Sequence, residues 1–406
     1  MFIEEKMKKT KAAVEKIVLK TFQEEIPSVY YSDKSRSEYK KFADNAEYIY
    51  RDLFNFPKEM FANKKMLDFG GGTGEQTVYL TNWGAQITHV EMNSMAIDIA
   101  KKVFKKYGSN YNKHKFIQSS IFDYKAKTKF DIVHSRGVFS HTFNKELAFD
   151  KLASNLKVGG YLIFGDPNKI GGFQNMLQRH IVYTLGRDND EMEEICERLF
   201  ADDITRSVES KVVRTRRTII FDRWIIPQQD DPSVEEVLSW FDKNNIKFYS
   251  SHPKFIFPYA SNSPHSHNQF DISNFKKYSV LSEALWMIKN TEDDDDYVDY
   301  LKSINKIYLK QKKLSNHISS VSPDTKINLN SSINMVADYK KSLKELDLGK
   351  PIVSKLDLFL QEVSGLLVVL KSKNLDKVEK YLKKTKILFK GYVGVRHIDY
   401  VGYKYK

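Results

Sequence analysis

The sequence predicts an α/β chain built on a doubly wound, mostly parallel sheet with helices on both faces, with an N-terminal helical cap and a C-terminal helical region. Three observations carry this. Short apolar runs alternate with helix-patterned segments between residues 65 and 164. A glycine-rich loop, Asp68-Phe-Gly70-Gly71-Gly72-Thr73-Gly74, follows the first run directly and opens a helix. An acid, Glu91, ends the second run, 17 residues beyond Gly74.

Residues 1–60 read as the helical cap. Ala12, Val14, Ile17, Val18 and Phe22 form one apolar face, and Tyr39, Phe42, Ala46 and Ile49 form another, with a turn-rich break over 27–34 between them. Strands are expected at 65–69, 86–90, 115–118, 130–134 and 161–164. The intervening helices are 75–81, 94–107 with Ser94 as a plausible N-cap, and 147–156 ending at Gly159-Gly160. The polar stretch 166–232 breaks the rhythm and sits where a substrate-covering insertion would lie. Ser233 and Glu236 form a capping box for a helix from 233, and 247–249 and 255–257 are candidate closing strands. The division is thus a cap at 1–60, a sheet domain at 61–258 and a linker plus basic helical domain at 259–406. In that last part Ile352, Leu356, Phe359, Val363, Leu366 and Leu370 form one helical stripe, expected to be core of a bundle.

Charge and cysteine content narrow the function. Residues 301–406 carry 22 Lys and Arg against 9 Asp and Glu, which is the whole excess of +13. A uniformly basic catalytic face for a nucleic acid is therefore not indicated. The single cysteine, Cys196, excludes an internal disulfide, a cysteine zinc cluster and an iron–sulfur cluster. No metal site is expected; His252, His265 and His267 are weak ligand candidates. No apolar run approaches the roughly 18 residues of a membrane span, and no secretory signal is seen, so a cytoplasmic protein is the expectation. The oligomeric state is not addressed by the sequence.

The glycine spacing is informative. A dinucleotide loop requires G-x-G-x-x-G, which no frame here supplies, and no Gly-Lys-Ser/Thr follows for a Walker loop. The glycines let the backbone approach a ligand, and Glu91 can accept hydrogen bonds from two ribose hydroxyls.

At these residues the chain resembles the class I S-adenosylmethionine-dependent methyltransferases, a Rossmann-like family. The resemblance covers about 64–165, more weakly 232–258. The loop from Asp68 to Gly74 is similar to their first motif, and Val90-Glu91-Met92-Asn93 to their ribose-binding strand end. Residues 130–142, with Gly-Val-x-x-His-Thr, resemble the fourth motif in its small-molecule form, and 156–163 the lead into strand five. The resemblance implies S-adenosylmethionine as cofactor. Asp68, Gly70, Gly72, Thr73 and Gly74 would hold its amino-acid end, Glu91 the ribose, Met92 one adenine face, and Ser120, Ile121 and Ser135 the remainder of the site. The family often has an acid after strand three; here Ser119-Ser120 stand there, with Asp123 slightly later.

His141 and Asp166 lie at the carboxyl edge of the sheet and are the catalytic candidates. His141 could take a proton from an acceptor or be a loop histidine; Asp166 could bind substrate or cap a helix. Tyr30, Tyr31 and Arg36 could close over the cofactor or form a surface turn. Arg216 and Arg217, in a cluster with Arg214 and Arg223, could grip an anionic substrate or form a solvated face. The reading is methyl transfer to O or N of a small molecule. The alternatives are an RNA or protein methyltransferase using the basic tail, and a non-catalytic cofactor-binding scaffold.

Overall fold

A computed structural model describes residues 10–24, 34–209, 214–254, 287, 301–323, 325–345, 350–391 and 394–406. The cap comprises α1 (Lys11–Glu24) and α2 (Arg36–Tyr48), α2 being closed by a capping box between Ser35 and Glu38. Then come β1 (Lys65–Phe69), α3 (Val78–Asn82), β2 (Gln86–Glu91), α4 (Ser94–Tyr107), β3 (Lys115–Gln118), β4 (Phe130–Arg136), α5 (Lys145–Ser154) and β5 (Leu156–Pro167). The insertion holds α6 (Phe173–Leu185), α7 (Asn189–Leu199), α8 (Ala201–Glu209) and α9 (Arg216–Ile220). After α10 (Val234–Lys243) and β6 (Ile246–His252), helices Leu301–Ser319, Leu329–Leu343, Lys350–Leu370 and Leu375–Leu382 precede β7 (His397–Lys404).

The strand order is β3-β2-β1-β4-β5-β7-β6. Every pair is parallel except those of β7, which runs antiparallel to β5 and to β6. The order reverses between β1 and β4, so a crevice opens at their carboxyl ends. Side chains alternate between two cores, as strand geometry demands. Leu67, Phe69, Val133, Leu162 and Phe164 meet Phe149, Leu238 and Phe241 on one face. Met66, Ile87, Ile132, Ile163 and Val401 meet Tyr50, Phe61, Leu80 and Phe104 on the other.

A third core is entirely helical. Phe173, Leu177 and Ile181 of α6 and Trp224 pack with Leu356, Phe359, Val363, Leu366 and Leu370 of the helix Lys350–Leu370. The stripe read from the sequence is therefore core where it is described; the side chain of Ile352 lies outside the described residues. α6 is buried on all sides, polar positions included, and Gln178 is bonded at both ends of its amide: its Nε2 donates to Asp203 Oδ2 at 2.6 Å, and Trp224 Nε1 donates to its Oε1 at 3.0 Å.

This arrangement corrects the division at residue 258. The insertion and the tail helices share one core, and the last strand of the tail sits inside the sheet between β5 and β6. The physical reason is β7 itself: its buried Asp399 breaks the apolar signature of a covered strand, and lysine-rich residues precede it. Smaller differences have local causes. α4 is capped by Asn93 rather than Ser94, the Asn93 side chain accepting from Met95 N at 3.1 Å. α5 stops at Ser154, and Gly159-Gly160 lie within β5, Gly159 at φ +78°. The candidate strand at 247–249 is part of β6, whereas that at 255–257 lies outside the described residues. No helix among the described residues is long and apolar enough to cross a membrane.

β7 is fastened by charge. In the row Arg136–Gly165–Asp399 across β4, β5 and β7, Arg136 Nε donates to Asp399 Oδ1 at 2.6 Å and its Nη2 donates to Oδ2 at 2.9 Å. A Cβ on Gly165 would lie 1.9 Å from Asp399 Oδ1, so only glycine leaves the lane open. Burial alone would raise the Asp399 pKa, but Arg136 and His397 hold it well below the usual carboxylate range. Asp399→Asn strips Arg136 of its counter-charge and is expected to lower the unfolding free energy by about 3 kcal/mol; an unchanged urea midpoint would contradict this.

Candidate functional site

A cavity of about 420 Å³ occupies the crevice. Its floor is the loop 70–77, which rises from β1 in a left-handed conformation at Gly70, Gly72 and Gly74 (φ +63°, +54° and +74°). The loop rests on Asp68, itself 1% exposed. His134 Nδ1 donates to Asp68 Oδ1 at 2.8 Å and Thr77 Oγ1 donates to Oδ2 at 3.0 Å. The ring of His89 approaches Oδ2 at 3.4 Å while its Nε2 donates to Gly72 O at 3.0 Å. Burial would raise the Asp68 pKa; the hydrogen bond from His134 and the nearby ring of His89 outweigh it and hold the carboxyl well below its ordinary value. A Cβ on Gly71 would meet Asp68 Oδ2 at 2.4 Å, so the glycine allows the carboxylate to sit directly beneath the loop.

At the end of β2, Glu91 Oε2 accepts from Gly72 N at 3.0 Å and Oε1 accepts from Asn93 N at 2.8 Å. Each oxygen keeps a further lone pair. Met92, Ser120 and Ile121 line the same side. The roof is α1: Glu15, Val18 and Phe22 face the cavity. α1 is held there by Asn93 Nδ2, which donates to Phe22 O at 3.0 Å, and by a hydrogen bond from Ser120 Oγ to Glu15 Oε1.

His141 lines the cavity on a 3₁₀ turn, Phe139–His141. Its Nδ1 donates to Gln228 O at 2.8 Å, which leaves Nε2 as the basic nitrogen. Burial lowers its pKa below 6.5, opposed by that bond, and Phe22 packs edge-on at 5.5 Å between centroids.

Four expected site residues stand elsewhere. Asp166 does not line the cavity. Its Oδ2 accepts from Ser140 N at 2.8 Å, and burial and the charge of Asp231 push its pKa well up. It is a positioning residue beneath the turn that bears His141. Ser135 is fully buried and donates to Phe69 O at 3.0 Å, tying β4 to β1. Arg216 and Arg217 face outward from α9: Arg216 Nε donates to Glu197 Oε1 at 2.9 Å and Arg217 pairs with Glu193. Glu193 and Glu197 lie one turn apart on α7, while Ile219 and Ile220 take the inner face of α9. Tyr30 and Tyr31 lie outside the described residues, and Arg36 is exposed at the start of α2.

The cations that do reach the cavity are Arg136, Arg214 and Arg396. Arg214 was one of a sequence cluster, and its Nη1 donates to Asp222 Oδ2 at 2.9 Å. Arg396 had no signal in the sequence, because it reaches the site only when β7 enters the sheet. The residues present fit the cofactor that the resemblance implies. Glu91 offers two acceptors toward the cavity, and His134, a lining residue, has a buried Nε2 without a hydrogen-bond partner among the described residues.

Likeness to known proteins covers part of the chain. Residues 60–244 match a family model described as "Methyltransferase domain". Malonyl-(acyl-carrier protein) O-methyltransferase 2 of Ilyobacter polytropus is 32% identical over 104 residues, 26% of this chain and 39% of that protein. The mitochondrial ubiquinone biosynthesis O-methyltransferase of Schizosaccharomyces pombe is 27% identical over 128 residues, 32% of this chain and 45% of that protein. The chain thus spans less than half the length of these curated relatives. Among solved structures, a plantazolicin methyltransferase in complex with S-adenosylhomocysteine is 16% identical, with 63% of this chain and 86% of that chain covered and a TM-score of 0.32.

Asp68→Asn is expected to cost roughly 1–3 kcal/mol of stability at pH 7, since it removes the charge that His134, His89 and Thr77 surround. A carboxyl held below 3.8 keeps that contribution above 3.8 and loses it only as pH falls through its folded value. Urea titrations in which the deficit vanishes already at pH 5 would contradict the assignment.

Proposed function

We propose, from the premise that the chain belongs to the class I S-adenosylmethionine-dependent methyltransferases, that it methylates O or N of a small molecule or biosynthetic intermediate within the roofed cavity. The observation that carries this reading is the joining of the glycine loop, Glu91 and His141 in one cavity under α1. S-adenosylmethionine, when bound, supplies an electrophilic methyl on a sulfonium. Gly70, Gly72, Thr73 and Gly74 would follow its amino-acid end, with Asp68 bracing the loop from below. Glu91 would accept from the ribose hydroxyls with its remaining lone pairs, and Met92 and Ile121 would flank the adenine, with Ser120 beside them.

The chain's own contribution is alignment and water exclusion. Val18 and Phe22 cover the cavity with apolar surface, so an acceptor beneath them is held out of bulk water. His141 would act as general base through Nε2 where the acceptor is a hydroxyl or a protonated amine. The O-methyltransferase names of the two curated relatives favour oxygen over nitrogen. A cavity lined by the sheet, α1 and the helical layer favours a small acceptor over a macromolecule.

Incubation with methyl-labelled S-adenosylmethionine and a fractionated extract tests the reading. Label is expected in a low-molecular-weight fraction, and label confined to RNA or protein would overturn it. Glu91→Ala is expected to weaken S-adenosylhomocysteine binding by about tenfold or more in calorimetry. The lowered His141 pKa also fixes a sign: the unprotonated form persists to below pH 6.5, so the acid limb of the rate profile is expected under that value. His141→Ala should remove that limb; a profile unchanged in the variant would exclude His141 as base.

A further inference from the structure

The wall of the cavity supplied by the helical layer and by the chain entering β7 is cationic. Arg136 is committed to Asp399, and Arg214 to Asp222. Arg396 differs. Its guanidinium lines the cavity, and among the described residues no carboxylate pairs with it. The charges that act on it most are Asp222 and Asp231 in its favour and Arg214 and Arg179 against, and Arg223 also repels it while drawing on Asp222. Arg179 Nε and Nη1 are themselves buried without a hydrogen-bond partner among the described residues. Burial lowers the Arg396 pKa despite the two acids, as expected of a cation whose counter-charge is missing from its surroundings.

The backbone that presents Arg396 is firmly seated. Its carbonyl accepts from Asn168 N at 2.5 Å, and a Cβ on Gly171 would fall 1.7 Å from Val395 O. The segment therefore lies directly on residues 168–171, and the guanidinium is presented from a fixed base rather than from a free loop.

We propose that Arg396, with Arg214 beside it, forms a subsite for an anionic group, a carboxylate or a phosphate, carried by the methyl acceptor. The proposal rests on the methyl-transfer reading of the cavity and adds the substrate class to it. A guanidinium presents paired N–H donors whose geometry matches both anions, and the net cationic wall supplies the attraction. The subsite positions the acceptor; no bond forms or breaks at Arg396. It also moves the anion grip from Arg216 and Arg217, whose guanidiniums are held by Glu197 and Glu193, to the one lining arginine without a carboxylate among the described residues.

The test uses the full chain saturated with S-adenosylhomocysteine. Inorganic phosphate and succinate are titrated separately by calorimetry at low ionic strength, with sodium chloride as the control for general screening. Saturable binding of at least one anion is expected, and which one binds separates phosphate from carboxylate acceptors. Arg396→Gln should weaken that binding by about tenfold or more, and Arg396→Lys should recover part of it by restoring charge without the fork. S-adenosylhomocysteine affinity should stay within about twofold in both variants, which also reports that they are folded. If Arg396→Gln fails that check, Arg396→Lys decides, with weaker anion binding expected. Binding of neither anion above the chloride control, or unaltered anion affinity in the folded variant, would overturn the subsite. Failure of the wild-type chain to bind S-adenosylhomocysteine would instead sink the methyl-transfer reading, and the anion titrations on the unliganded chain would still judge Arg396.

Discussion

The ion pair between Arg136 and Asp399, laid across the bare Cα of Gly165, is the constraint on which the rest of the molecule hangs. It is the point where the parallel strands, ordered by local βα units, accept a strand from far along the chain. Two charges removed from water are costly unless each meets the other with good geometry, and here the carboxylate takes a hydrogen bond on each oxygen from one guanidinium, with a longer one from His397 Nε2 at 3.3 Å. With β7 so fixed, β6 has its one neighbour in the sheet among the described residues, and Arg396 and His397 are drawn onto the cavity.

The cavity consequently has two halves of different origin. The half formed by the glycine loop, Glu91 and Met92 is local: a strand, a turn and the next strand's end bring its groups together within a few dozen residues. The other half is assembled from α1, the helical insertion and the approach to β7. Rigid support unites them. Asp68 braces the loop from beneath, Asp166 holds the turn under His141, and Asn93 caps α4 while gripping α1. These three side chains hold backbone and neighbouring side chains in place, and Asp68 and Asn93 also line the cavity.

The contrast explains what could be read from residues alone. Asp68, Gly70, Gly72, Gly74 and Glu91 were legible because their spacing answers to a short-range requirement, a tight turn before a helix and an acid at a strand end. Ser135, near the end of β4, turns inward to Phe69, a distinction of one residue's facing that alternation leaves open at a strand end. The arginines of α9 misled because their acidic partners lie on another helix, where spacing along the sequence has no bearing. Arg396 and β7 were illegible for a stronger reason. Buried Asp399 makes the strand look polar, and the pairing that neutralises it spans 263 positions. The apolar stripe of the helix Lys350–Leu370 was plain, but its partner, the insertion helix α6, shows no stripe because it is buried all round.

The placement of β7 bears on how the chain is made. Synthesis runs from the amino end, and the parallel strands, with their ligand loop, emerge long before residues 397–404. Until then β5 ends in an open edge lined by buried-type residues such as Phe164 and Leu162, the sort of edge that invites pairing with another chain. The intervening helices can fold earlier on local contacts and, by packing on the insertion, keep the tail near the gap it must fill. The sheet therefore reaches its full order only after residues 397–404 have been made, and β5 is an edge until then.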